Sequence, residues 1–495
     1  MAQFFSTRND KERVSGSKAI IHGIASDGGL YVPEKFENIY KECMEMDNYS
    51  DVCNKVLSSF FPEIGISEQV EMAYSKFSEN PPVIIKKAGD FNVVELYHGP
   101  TCAFKDFALS VLPHLVRKSK EIEIDSNNTV ILAATSGDTG KAALEAFSNK
   151  DTYEKDIQIV VLYPQNGVSD IQKRQMITQE GSNVNVIGIN GNFDDAQSAV
   201  KDLFADKKLR ELLMKDNLDF SSANSINIGR LIPQIAYYFY SYTELVARGE
   251  IKEGEKVSFC VPTGNFGDIL AGYYAKKMGL PVYRLICASN ENDVLTDFFQ
   301  TGIYNKKRQL LLTASPSMDI LISSNLERLL YHISASTNMV SKWMDQLEKQ
   351  GFYCIFGDDE KFNEKIKKEL EIFIGFSSSH ALSQETIHKT YKKYGYLMDT
   401  HSSVAYSAAE EIHLPGKTIV LSTASPFKFA PSVCEALGLD ISGLSEFEIL
   451  DLLSSKTGVE IPGPLRELEG KEVIHNLMAE RSDIKEVVTA LLKRQ

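Results

Sequence analysis

Lys105 lies in the run His98-Gly-Pro-Thr-Cys-Ala-Phe-Lys-Asp-Phe-Ala108, between Phe104 and Asp106 and close to Phe107. A lysine amine ordinarily titrates near about 10.4 and is a poor nucleophile at neutral pH; apolar walls disfavour the ammonium form and release the free amine. Such a lysine can form a Schiff base with an aldehyde. Taken alone, the run equally describes a lysine that buries its stem and keeps its head in water. Other segments must decide between the two.

Four further segments combine small, hydroxyl and amide residues where a ligand could be held. The first, Ala134-Thr-Ser-Gly-Asp-Thr-Gly140, is followed by Lys141. A P-loop would need glycine at 135 and Ser or Thr at 142, but those positions are Thr135 and Ala142. What remains is a turn at a helix N-terminus suited to a carboxylate, through Ser136, Thr139 and backbone N–H groups, or else a plain N-cap turn. The second, Pro262-Thr-Gly-Asn-Phe-Gly-Asp268, sits between an apolar strand and a helix. Gly264 and Gly267 allow close backbone approach, and the helix dipole favours a dianion. The loop is not GxGxxG, so one phosphate monoester fits it better than a pyrophosphate; a plain strand-to-helix turn is its other reading. The third, Ser222-Ala-Asn-Ser-Ile-Asn-Ile-Gly-Arg230, offers Asn224, Ser225, Asn227 and Arg230 to a second phosphate, with Arg230 able to bond bidentately. A polar loop with a solvated arginine would look the same. In the fourth, Leu421-Ser-Thr-Ala-Ser-Pro-Phe-Lys-Phe429, Thr423 ends a strand, as a cap or as a hydroxyl facing a neutral ring nitrogen.

The elements that must position these segments follow from periodicity. Strands are expected at Thr129 to Ala134, Ile157 to Tyr163, Val184 to Ile189, Lys256 to Val261, Val282 to Ala288 and Lys417 to Ser422. Helices are expected at Lys141 to Ser148, Ser169 to Gln179, Asp194 to Phe204 and Asp268 to Met278. Strands alternating with helices imply parallel sheets built from crossover units, which collect ligands at loops that follow strands and open helices. Turn signals and amphipathic stretches such as Ser50 to Phe60 make the first 88 or so residues a small, mainly helical region. The charged stretch Arg248 to Lys256 reads as a linker, and residues from about 440 onward as a helical piece broken at Ile461-Pro-Gly-Pro464.

A chain of 495 residues with 43% hydrophobic and 24% charged residues has the composition of a soluble protein of two or three domains. A formal charge of -14 and a pI near 5.3 argue against a nucleic-acid partner. Seven scattered cysteines without zinc-site spacing suggest reduced thiols. No apolar run has the length of a signal peptide or of a membrane span, so a soluble cytoplasmic protein is expected.

Together with Ser6-Thr-Arg8 and Ala25-Ser-Asp-Gly-Gly-Leu-Tyr-Val-Pro33, these segments, in this order, resemble the fold-type II enzymes dependent on pyridoxal 5'-phosphate (PLP). Within that class they resemble the long microbial and fungal threonine synthases. The resemblance implies two open parallel-sheet α/β domains of the tryptophan synthase β-like kind, with the helical N-terminal region and a helical C-terminal extension. The implied divisions are 1–88; 89–110 with 236–440, the PLP-binding part; 111–235, the smaller α/β part; and 441–495. It implies Lys105 as the Schiff-base lysine, Gly264, Asn265, Phe266, Gly267 and Asp268 as the cofactor phosphate cup, and Thr423 facing the pyridine nitrogen. Ser136, Asp138 and Thr139 would lie near the substrate carboxylate, and Asn224, Ser225 and Arg230 would hold the substrate phosphate. Asp138 stands where many relatives have asparagine.

The implied reaction is a β,γ-replacement that turns O-phospho-L-homoserine and water into L-threonine and phosphate, without metal, membrane or nucleic acid, in a chain expected to be monomeric. Two alternatives share the same residues: a PLP-dependent phospho-lyase or dehydratase releasing 2-oxobutyrate, and a catalytically silent metabolite-binding protein on the same fold.

Overall fold

A computed structural model describes residues 3–148, 156–165, 167–191 and 193–493. Short runs of Val, Ile and Leu, buried on both faces, form the strands of two mainly parallel sheets. The larger sheet has six strands in the order Phe373–Ser377, Val282–Ser289, Val257–Pro262, Thr418–Ser422, Phe91–Glu95 and Ile84–Ala88. The first five run parallel; Ile84–Ala88 returns antiparallel against Phe91–Glu95 because only a two-residue turn joins the pair. The smaller sheet has five parallel strands in the order Leu477–Ala479, Val184–Ile189, Ile157–Pro164, Asn128–Ala134 and Leu218–Ser222.

All six strands expected from periodicity are present to within a residue or two, as are three of the four helices; the fourth, Asp138–Phe147, begins three residues before Lys141 because the turn itself opens it. Five strands of the two sheets were not legible. Ile84–Ala88 and Leu477–Ala479 are short edge strands, Phe91–Glu95 and Leu218–Ser222 carry Asn, Glu, Asp and Ser among their apolar positions, and Phe373–Ser377 is interrupted by Gly375. That glycine has a packing reason, since a Cβ there would lie 2.9 Å from the Thr296 Cα.

The N-terminal region contains the helices Gly16–His22, Tyr49–Phe60 and Ser67–Tyr74, together with a three-stranded antiparallel sheet, Asn9–Ser15, Gln3–Ser6 and Tyr31–Pro33. The sheet escaped periodicity because Asn9–Ser15 is a charged, largely exposed ribbon. Tyr49 ties this region to the lysine segment, with its ring 5.3 Å from that of Phe107 and 5.5 Å from that of Tyr240. Near the other end, Glu446–Thr457 opens with a capping box between Ser445 and Glu448, and Ile484–Lys493 follows the edge strand Leu477–Ala479. Among the described residues no helix is long and apolar enough to cross a membrane.

Candidate active site

Lys105 precedes the short helix Asp106–Leu109, and the turn that carries it is fixed at both sides. Asp106 accepts from the Thr101 amide at 2.8 Å and from the Thr101 hydroxyl at 2.6 Å. Gly99 is needed beneath it, because a Cβ would lie 2.4 Å from the Asp106 carboxylate. The Phe104 amide donates to the Thr423 carbonyl at 2.8 Å, and the Ser425 amide to the Cys102 carbonyl at 3.1 Å. The lysine turn is thus stitched to the chain leaving the strand Thr418–Ser422, which brings the lysine run and the segment Leu421 to Phe429 together.

A cleft opens between the two sheets. Lys105, Asp138, Thr139, Ser225, Arg230, the whole loop Gly264 to Asp268, and Thr423 all line it. Ser136 and Asn224 stand outside the lining. The Asn224 amide nitrogen donates to the Ala134 carbonyl at 3.2 Å, while its oxygen is buried without a partner. Asn227 is fully buried and serves as a cap: its Oδ1 accepts from Gly229 at 2.9 Å and its Nδ2 donates to Ile20 and Ser222 carbonyls.

The loop after Val257–Pro262 is a cradle built on close approach. A Cβ on Gly264 would lie 2.5 Å from the Ser317 carbonyl oxygen. Phe266 adopts a left-handed φ of 62°, an uncommon conformation for a bulky residue, and its ring stacks near Phe299 to hold it there. The helix Gly267–Lys277 then starts with first-turn amides that have no partner within the helix and are available to an anion. The Asp268 carboxylate does not serve the anion: it accepts from Tyr237 at 2.6 Å and Tyr238 at 2.8 Å, and burial pushes it up to about 6 against those two hydrogen bonds.

Across the cleft, Arg230 is buried with one nitrogen donating to the Ala223 carbonyl and its Nε left without a partner. Burial lowers it to about 10, so it remains a cation at neutral pH. Arg328, fully buried, ties this wall together by donating to the carbonyls of Tyr31 and Ile226 and to the Asn325 side chain. Asn325 in turn donates to the Asn265 carbonyl at 3.0 Å. The N-terminal motif joins the same support, since Thr7 and Arg8 both bond Glu327.

Asp138 has more partners than the sequence foretold. Its Oδ1 accepts from Lys428 at 2.6 Å and Gln172 at 2.8 Å; its Oδ2 faces Lys105 at 3.6 Å. Burial alone would raise this carboxyl, but Lys428 and Lys105 outweigh it and hold Asp138 well below the usual carboxylate range. Lys105 is lowered by burial first, with the Lys428 and Arg230 cations acting in the same direction and Asp138 opposing them. Its side-chain nitrogen also sits 4.7 Å from the centre of the Phe104 ring.

His401, another lining residue without a role in the sequence reading, bonds Asp399 through Nδ1 at 2.8 Å and accepts the Ser317 amide at Nε2. The Ser317 amide must donate, so this network assigns the proton to Nδ1. Lys428, Gln172, Ser317 and His401 reach the site from distant parts of the chain, and only Lys428, flanked by Phe427 and Phe429 as Lys105 is by aromatic neighbours, left a signal in the sequence.

These residues suit PLP. A buried lysine of lowered basicity, a glycine cradle opening a helix, the orphaned buried Asn265 oxygen and the Thr423 hydroxyl meet in one cleft.

Residues 3–74 match the family described as "Threonine synthase N terminus", and residues 94–424 match "Pyridoxal-phosphate dependent enzyme". The chain is 40% identical to threonine synthase-like 1 of Macaca fascicularis over 463 residues, covering 88% of this chain and 60% of that protein. It therefore spans about three fifths of the length of that relative. It is 35% identical to threonine synthase of Saccharomyces cerevisiae, covering 89% of this chain and 90% of the yeast protein. The structure resembles that of PLP-bound threonine synthase from Brucella melitensis, with a TM-score of 0.85, 33% identity and 99% of each chain covered. A buried amine facing a glycine cradle, and likeness to such proteins over nearly the whole length, place this chain in the threonine synthase family of PLP-dependent enzymes.

Proposed function

We propose that the protein converts O-phospho-L-homoserine and water into L-threonine and phosphate. The observation that carries this reading is that two groups suited to anions line one cleft with Lys105: the cradle from Gly264 to Asp268, and the buried Arg230 with Ser225 beside it. A cofactor phosphate needs one and a phosphorylated substrate needs the other.

In this reading the backbone of Gly264 to Asp268 holds the cofactor phosphate, with the Asn265 side chain beside it. Thr423 meets the ring nitrogen through a hydroxyl, which suits a neutral ring. Bound there, PLP supplies an aldehyde that captures amines and a ring that accepts an electron pair. Lys105 supplies the amine that fixes the cofactor and, once free, moves protons at the substrate Cα and Cβ. Arg230, with Ser225, holds the substrate phosphate, and Thr139 and the amides of that turn hold its carboxylate; Ser136 and Asn224, outside the lining, support the two turns. Asp138 keeps these groups in register through Lys428 and Gln172. Over the whole reaction the Cγ–O bond and one Cβ–H bond break, phosphate leaves, the hydroxyl of water ends on Cβ and a proton ends on Cγ.

The test is incubation of the PLP-loaded protein with O-phospho-L-homoserine. Threonine and phosphate in equal amounts are expected. Release of 2-oxobutyrate without threonine would instead make the protein a phospho-lyase, and no turnover with PLP bound would make it a silent member of the fold.

A further inference from the structure

Lys428 is a second buried lysine beside Lys105, and the reaction as described gives its charge no chemical task. It lies in the turn Pro426–Phe429, just beyond the strand Thr418–Ser422, with its side chain fully buried. Its ammonium group contacts Asp138 Oδ1 at 2.6 Å and the Thr101 carbonyl at 2.9 Å. Lys105 approaches the other oxygen of the same carboxylate at 3.6 Å.

One carboxylate balances one ammonium. Two ammonium groups around a single buried aspartate leave a net charge out of water, and desolvation then drives one of them to lose its proton. Geometry decides which. Lys428 makes the short ion pair and has a second acceptor, whereas Lys105 stands 3.6 Å from the carboxylate, beyond hydrogen-bonding distance. The remaining charged groups push the same way or are engaged elsewhere. Arg230 adds a cation from the helix Ile228–Leu231, Asp268 is turned to Tyr237 and Tyr238, and His401 is held by Asp399.

We propose that Lys428 is a positioning residue: it takes up the Asp138 carboxylate so that Lys105 remains a neutral amine, the only form with a lone pair able to attack an aldehyde carbon. The proposal rests on the assignment of Lys105 as the cofactor-capturing lysine, and is independent of which phosphorylated substrate follows. It also gives Asp138 a reason to be acidic, since an amide there would leave Lys428 without a counter-charge. The pair spans the two halves of the cleft, Asp138 opening a helix of the smaller sheet and Lys428 following a strand of the larger.

The test reads the amine itself. The full-length chain, freed of PLP, is pulsed with formaldehyde and a borane reductant across a range of pH, and modification of Lys105 is followed by peptide mass spectrometry. Lys428→Met should move the midpoint for Lys105 upward by about one pH unit or more, a roughly tenfold slower reaction below the midpoint. Lys428→Arg should stay closer to the unmodified protein than Lys428→Met, and the rate of PLP capture should follow the same order. A folded Lys428→Met protein with an unmoved midpoint overturns the proposal, as does Lys428→Arg shifting as far as Lys428→Met. Should Lys428→Met fail to fold, Asp138→Asn is compared with Asp138→Asn/Lys428→Met. The single variant should have the lower midpoint, because Lys428 then repels Lys105 without an intervening anion, and equal midpoints overturn the proposal. Failure to form threonine would leave all these midpoints untouched, so the two readings fail separately.

Discussion

Replacing Gly264 by alanine tests how tightly the cofactor cradle is built. The added methyl would lie 2.5 Å from the Ser317 carbonyl oxygen and 3.2 Å from the Met318 Cα. Both are backbone atoms, so no rotamer change relieves the contact and one of the two segments must move. Overpacking of this kind costs about 1–3 kcal/mol, offset by about 0.4–1 kcal/mol from the restricted unfolded chain. A net cost of about 1–2 kcal/mol remains. Because both segments line the cleft, that cost falls on cofactor binding, and PLP affinity should drop about 5- to 30-fold. Gly267→Ala is the control from the same motif. Its methyl would meet nothing nearer than the Asn325 Nδ2 at 3.6 Å, and it sits in a helical first turn, so the PLP-free protein should keep its stability or gain up to about 1 kcal/mol. Thermal melting with and without PLP, together with a PLP titration followed by visible absorbance, separates the two. Gly264→Ala that melts and binds PLP like the unmodified protein would refute the argument, as would Gly267→Ala melting below it.

Lys105→Ala should abolish turnover and the visible absorbance of lysine-bound PLP while the PLP-free protein melts as before; substantial remaining turnover would refute the role. Arg230→Met should raise KM for the phosphorylated substrate at least about tenfold with a smaller change in kcat, as expected for a lost charge-assisted contact; an unchanged KM would move the phosphate site elsewhere. For Asp268, burial raises the carboxyl to about 6, so the folded protein holds its proton more tightly than the unfolded chain and ionisation above that pH opposes folding. Asp268→Asn should therefore be more stable than the unmodified protein above about pH 6, by as much as about 3 kcal/mol, with the gain fading as pH falls to about 4. Urea unfolding at pH 7.5 and pH 4 checks this, and a difference that does not vary with pH would contradict it.

The parts of the site that the sequence revealed are those that lie contiguously in it. Lys105 with its aromatic neighbours, and Gly264 and Gly267 between an apolar strand and a helix, each declare a local geometry in a few residues. Strands such as Asn128–Ala134 were equally legible because burial on both faces demands an unbroken apolar run, here Val130 to Ala134. What pairs with what was not legible. Lys428 meets Asp138 only because two sheets face each other, and the Ser317 carbonyl limits Gly264 only because the chain returns after some fifty residues. Asp268 shows the opposite failure: in sequence it belongs to the phosphate loop, but helical geometry turns its carboxylate towards Tyr237 and Tyr238 on a neighbouring helix. Asn227 likewise shares a polar segment with Ser225 and Arg230, and the turn into Ile228–Leu231 uses it as a cap.

The hydrogen bond from the Phe104 amide to the Thr423 carbonyl sets an order of events during synthesis. The lysine turn leaves the ribosome long before the strand Thr418–Ser422 that will hold it, and at typical elongation rates the wait is roughly 15–60 s. The smaller sheet draws four of its five strands from one continuous stretch, Asn128 to Ser222, which is complete well before that moment. A nascent chain can thus possess much of the substrate-side scaffold while its lysine turn is still unanchored. The lysine turn gains its native anchor, and with it the walls of its cleft, only near the end of translation.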